Sequence, residues 1–179
     1  MRSVYPALAA LLLLPAAAAL SACGDSFGVE TVLRSDSLVL ASANGPSTLP
    51  SALDIANGVL STRPELPAQA GLFDLQVRQS GNVFTLVPSP ATGSLRGAGL
   101  QLTTRDIANP GNAPREVDTY TRTAQTIAVG QTYFVQTRPV CGTASKYGML
   151  KVLALKADSG LVTLKVVSNQ GCDDERLED

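Results

Sequence analysis

The chain has 179 residues, with 14 Lys plus Arg against 15 Asp plus Glu, three Cys, no His and no Trp, enough for one domain with a buried core and not comfortably for two. So balanced a charge gives no drive toward nucleic-acid phosphates or acidic lipid surfaces. Without His, Ser-His-Asp and Cys-His nucleophile systems and His-ligated zinc, copper and haem sites are ruled out, and neither a metal nor a cofactor is expected.

Residues 1–22 pass from Arg2 through an apolar stretch, Ala7 to Leu20 broken only by Pro15, to Ser21 and Ala22 before Cys23. A short basic flank, an apolar run and small residues at its end make a cleaved signal peptide. Leu20-Ser21-Ala22-Cys23 resembles the lipobox of bacterial lipoprotein precursors. That resemblance implies cleavage before Cys23 and attachment of a diacylglyceryl group to its thiol. The two or three acyl chains it implies give stable anchoring, at about 0.8 kcal/mol per buried methylene. Val4 to Ala22 is also just long enough for an uncleaved transmembrane helix. Gly24 rather than Asp follows the anchor, which in the enterobacterial form of the family favours the outer membrane.

Residues 23–28 are then a lipidated tether, residues 29–172 a single β-rich domain and residues 173–179 an acidic, solvated tail. Within the domain the apolar pattern has period two and is punctuated by Gly, Pro, Asn and Ser. Strands are predicted at 31–33, 38–41, 73–79, 83–87, 99–103, 117–122, 127–129, 132–138, 147–156 and 161–168. Ten short strands imply an all-β antiparallel sandwich or barrel-like domain. At most one short helix is expected, over 51–60, where Ser51 and Asp54 make a capping-type start. Thr104 to Ala108 is a further single turn before Pro110, and 41–50, 61–71 and 88–97 are loops.

Three reversals are readable. Ser80-Gly81-Asn82 joins strands 73–79 and 83–87, Gly130-Gln131 joins 127–129 to 132–138, and Asp158-Ser159-Gly160 joins the two longest strands as a three-residue loop. That loop pairs Ala157 with Leu161. In this register Leu150, Val152 and Ala154 share the core face with Val162, Leu164 and Val166. Met149, Leu153 and Leu155 lie with Lys151, Thr163 and Lys165 on a face that is partly wet, or covered by a loop at its apolar end.

With Cys23 lipidated, Cys141 and Cys172 are the remaining pair, and an oxidising compartment joins them as a disulfide. The register above sets Cys172 opposite Lys146, five residues from Cys141 and beyond Gly142, which can turn the chain back.

Motifs for catalysis are thin. Thr143-Ala-Ser-Lys146 has Thr where a Ser-Lys hydrolase needs Ser, Ser80-Gly81-Asn82 lies on the wrong side of it, and Gly93 to Gly99 lacks the Lys of a phosphate loop. Asp54, Asp74, Asp106, Glu116 and Asp118 are available for an acid and base pair, although no spacing selects one; Glu116 and Asp118 would share one strand face. Tyr133 and Tyr147 are expected to pack in the core with hydroxyls at its rim.

Gly130 to Arg138, followed by Tyr147-Gly-Met-Leu-Lys-Val-Leu153 and a hairpin return, resembles the HmuY-type β-rich lipoproteins of the outer membrane over about 40 residues. Those proteins hold haem through histidines, which this chain lacks, so the resemblance implies a similar fold and not the ligand. The expected function is a lipid-anchored envelope protein whose non-catalytic β-rich domain binds an envelope protein or a small ligand. The alternatives are a periplasmic carboxylate-dependent hydrolase, marked by two carboxyl groups converging in a concave site, and a structural module of an envelope complex, marked by a flat apolar patch.

Overall fold

The computed structural model describes residues 32–45 and 48–178. The signal peptide, Cys23, the tether and Thr31 lie outside the described residues. Alternating apolar residues build ten strands, β1 (Leu33–Ala41), β2 (Ala52–Asp54), β3 (Leu60–Thr62), β4 (Leu75–Ser80), β5 (Val83–Pro88), β6 (Gly99–Thr103), β7 (Gln125–Thr126), β8 (Thr132–Gln136), β9 (Tyr147–Lys156) and β10 (Leu161–Asn169). They form two antiparallel five-stranded sheets, ordered β1-β10-β9-β8-β6 and β3-β2-β4-β5-β7. Among the described residues there is no α-helix, only short 3-10 turns, and so no helix long and apolar enough to cross a membrane.

The sheets face each other across one apolar core. Leu40, Leu100, Tyr133, Val135, Leu150, Val152, Val162, Leu164 and Val166 of the first sheet meet Leu53, Leu75, Val77, Phe84 and Leu86 of the second. Inward and outward residues alternate along each strand, as a sandwich requires. Both faces of β8 are buried, however, because its outward Phe134 joins Tyr147, Met149, Ile107, Ala113, Tyr120 and Leu177 in a second cluster behind the first sheet. The predicted wet face is thus dry at its Met149 end, where the 104–120 segment and the chain end cover it. Farther along, Leu153 is 41% exposed.

Several sequence expectations are corrected. Residues 51–60 are not helical: Ala52, Leu53 and Asp54 pair with β3, and Ala52 and Leu53 also pair with β4. A continuous buried run of this length suits a central strand as well as a helix, and here Gly58 (φ 111) and Val59 (φ 61) reverse the chain before a second turn could form. Residues 117–119 are a 3-10 turn rather than part of a strand, and only Thr121 of the predicted 117–122 segment makes a bridge, to Leu100. Residues 127–129 do not form a hairpin with β8. The strand that precedes them, β7, belongs to the other sheet, and Gly130-Gln131 is a corner between sheets with the Gly130 N–H bonded to the Val152 carbonyl (2.8 Å). Leu33 of the first predicted segment and residues 38–41 of the second belong to one continuous edge strand, β1.

The reversal between β9 and β10 lies where expected, with a different count. A 3-10 turn over Ala157–Ser159 and left-handed Gly160 (φ 67) make a four-residue loop that pairs Lys156 with Leu161. A bulge then leaves Leu153 without a partner: Thr163 opposes Ala154, whereas Leu164 opposes Val152. Inward-facing positions therefore switch from Leu150 and Val152 to Leu155, which packs on the core in place of Ala154.

Residues 173–178, read from the sequence as a solvated tail, pack against the domain. Ala113 N–H bonds to the Glu175 carbonyl (2.9 Å), Leu177 N–H bonds to the Gly111 carbonyl (3.1 Å), and the Leu177 side chain is 1% exposed. Cys141 and Cys172 form the predicted disulfide, with Cα atoms 6.3 Å apart, and such a bond indicates an oxidising, extracytoplasmic compartment. The pairing is as expected; within the β9–β10 ladder the register differs, with Ser168 opposing Gly148, yet beyond it Asp173 N–H bonds to the Ser145 carbonyl (2.8 Å), the neighbour pair that setting Cys172 opposite Lys146 implies.

Candidate functional site

At the end of the sandwich where β5 and β8 finish and β6 begins, the two sheets are tied by a buried ion cluster. Asp74, immediately before β4, is fully buried. Its Oδ2 accepts the N–H groups of Ile55 and Ala56 (both 2.8 Å), and its Oδ1 accepts the N–H of Arg138 (2.9 Å) and the guanidinium of Arg138 (3.1 Å). Asp54 at the end of β2 takes the same Arg138 Nη1 (3.1 Å) and the Asn57 amide (2.7 Å). Burial pushes the Asp74 carboxyl above the usual carboxylate range, while Arg138 and the N–H groups of Ala56 and Arg138 pull it back. Every partner is a donor, so the ionised carboxylate is the form the site accommodates. This clasp ends β8: the Arg138 N–H leaves the ladder for Asp74, and Pro139 cannot continue a strand.

Beside the clasp lies a cavity of about 250 Å³ lined by Gly71, Phe73, Ser89, Pro90, Thr92, Leu95, Arg96, Arg138 and Pro139. Its outer wall is a small excursion between β5 and β6. Thr92 and Leu95 exchange backbone hydrogen bonds (3.0 Å each way), and Ala98 N–H returns to the Ser89 carbonyl (3.2 Å). Gly97 allows that closure, since a Cβ there would stand 2.1 Å from the Ser89 carbonyl oxygen. Arg138 and Pro139 form the opposite wall. They are held between the clasp and the turn that carries Cys141, which the disulfide anchors to the end of β10.

Arg96 reaches in from this excursion. Its Nη2 donates to the Ser145 hydroxyl (3.3 Å), which itself donates to the Thr137 carbonyl (2.8 Å). Its Nε is buried and makes no hydrogen bond. Arg122 lies close by, donating to the Gly97 carbonyl (2.6 Å) and Gln136 Oε1 (2.8 Å); burial and then the Arg96 charge hold its pKa below the usual value.

Of the predicted carboxylates, the fold brings together only Asp54 and Asp74, and neither lines the cavity. Asp106 pairs with Lys151 (3.3 Å) at the surface. Glu116 and Asp118, expected on one strand face, are exposed at the 3-10 turn. Tyr133 packs in the core with its hydroxyl on Gln131 (2.7 Å), and the Tyr147 hydroxyl accepts from Gln136 (3.4 Å). Lys146 of the Thr143 to Lys146 segment donates Nζ to the Ala56 carbonyl (2.7 Å). Among the described residues no group of three or more His, Cys, Asp or Glu could hold a metal.

Sequence reasoning missed Phe73, Leu95, Arg96, Arg138 and Pro139 as neighbours. The only local hint was a lone Arg inside the Pro- and Gly-rich loop 88–97. No protein-family model, curated protein or solved structure matches the chain.

Proposed function

We propose that the chain is a lipid-anchored protein of the cell envelope, placed at the outer membrane, whose β-sandwich is a non-catalytic binding domain with its ligand site in the cavity between Phe73, Leu95 and Arg138. The observation that carries this reading is the division of labour at that end of the sandwich. The carboxylates a hydrolase would use are consumed by Arg138 and backbone N–H groups. The adjacent concave surface is apolar with two guanidinium groups and no acid, the composition of a binding site. Anchoring rests on the lipobox-like Leu20 to Cys23 and on the disulfide's oxidising compartment.

The chain has no Trp, so Leu95→Trp supplies a single fluorescent reporter at the rim. With the full chain in lipid nanodiscs, screening small organic fragments should give saturable emission changes for some of them. A reporter silent to every fragment, or specific turnover of a glycoside or ester that Asp74→Asn abolishes in a still-folded chain, contradicts the reading. Cys23→Ser tests the anchor: metabolic fatty-acid labelling should disappear, and labelling that persists overturns it.

A further inference from the structure

The cavity's charges are unequally matched. Arg138 faces both Asp54 and Asp74, whereas none of the ion pairs among the described residues includes Arg96. Its one hydrogen bond goes to a neutral hydroxyl at 3.3 Å, and its buried Nε has none. The neighbouring cation, Arg122, is likewise served by neutral carbonyl and amide oxygens, from Gly97, Val117 and Gln136. A desolvated guanidinium donor without a partner is unfavourable, and placing a second cation near it adds to the deficit. Asp118, exposed on the 3-10 turn and outside the cavity lining, favours the Arg122 cation; what is missing beside Arg96 is a negative charge, and no acid lines the cavity to supply one.

The remaining walls exclude a bare, strongly hydrated anion as the best fit. Phe73, Pro90, Leu95 and Pro139 present apolar surface, and the space of about 250 Å³ is below the roughly 300–1,000 Å³ of sites for drug-sized ligands. Resting on the reading of this cavity as the ligand site, we infer that it takes a small organic carboxylate, its charge met by Arg96 and its apolar body packed on Phe73, Leu95 and the two prolines. A guanidinium matches a carboxylate's two oxygens with two parallel N–H bonds, a fit that an ammonium lacks.

The test uses 4-fluorobenzoate and its neutral isostere 4-fluorobenzamide, followed by fluorine NMR against the full chain in zwitterionic nanodiscs, with empty nanodiscs as the blank. Benzoate should bind saturably with a Kd of about a millimolar or below, and the amide about ten-fold or more weakly. Arg96→Gln should weaken benzoate about ten-fold and leave the amide unchanged, which shows that the cavity survives the substitution; Arg96→Lys should restore part of the loss. Equal affinities for acid and amide, or benzoate binding indifferent to Arg96→Gln, overturn the inference. Amide binding without benzoate binding overturns it too but leaves the cavity a ligand site, whereas no binding of either, with a silent Leu95→Trp reporter, removes both readings.

Discussion

Replacing Asp74 with Asn preserves the side chain's shape, yet puts an NH2 group among donors and leaves Arg138 with Asp54 alone. Removing one partner of a buried ion pair typically costs about 3–5 kcal/mol, because the other charge stays buried. Asp74→Asn should therefore lower the free energy of unfolding by that much, read as a lower urea midpoint at an unchanged m-value; a loss under about 1 kcal/mol would mean that the clasp does not hold the sheets. Asp174 gives the opposite pH behaviour to a desolvated acid. Hydrogen bonds from Arg176, at 2.6 and 2.9 Å, hold its carboxyl well below the usual range. A depressed native pKa stabilises above the unfolded value near 3.8 and loses that contribution as pH falls toward the native one. Asp174→Asn should be less stable than wild type at pH 7, by about 1 kcal/mol or less at this partly exposed site, and the gap should close below pH 4. A gap that widens there contradicts the assignment. Both Asp54 and Asp74 were visible in the sequence as possible functional acids. Their shared partner was not, since Arg138 is 64 residues beyond Asp74 and nothing local marks an ion pair made across two sheets.

At the level of elements, legibility followed the length of the periodic run. β4, β5, β6, β9 and β10 alternate over five or more residues, and their extents were recovered within a residue or two. β2 was not, because three buried residues carry no period, and a Ser with an Asp three places on suits a helix start as well as the rim of a strand. Register failed for a different reason. Gly160 announces a turn but does not count its residues, and the bulge at Leu153 reflects packing of Leu155 on the core. The chain end was misjudged because five acids obscured one apolar anchor. Leu177 is 1% exposed among Phe134, Tyr147 and Met149, so Leu177→Ala should cost about 2–5 kcal/mol and raise hydrogen exchange in residues 105–120. Stability unchanged by this substitution would show the tail to be dispensable. Reducing the disulfide, which closes a separation of 31 residues and is worth roughly 3–4 kcal/mol in the chain-entropy model, should speed exchange first at 139–146 and 171–178. The β9–β10 ladder should stay protected; its loss at the same rate would show that the bridge supports the sheet itself.

For the molecule as a whole, the two-layer architecture was readable because a period of two, repeated through a turn-rich chain, has few other ways to bury its apolar faces. The cavity was not readable, because its walls come from the segment before β4, the β5–β6 excursion and the residues after β8, three places that only the finished sandwich brings together. That cavity is where this domain is proposed to meet its ligand. The most direct measurement is amide chemical-shift mapping of the full chain in nanodiscs during titration with 4-fluorobenzoate. Saturable shifts should concentrate at residues 71–73, 89–98 and 138–140, with one affinity shared by all three segments. Shifts centred elsewhere on the sandwich, or no saturable shifts at any residue, would contradict it.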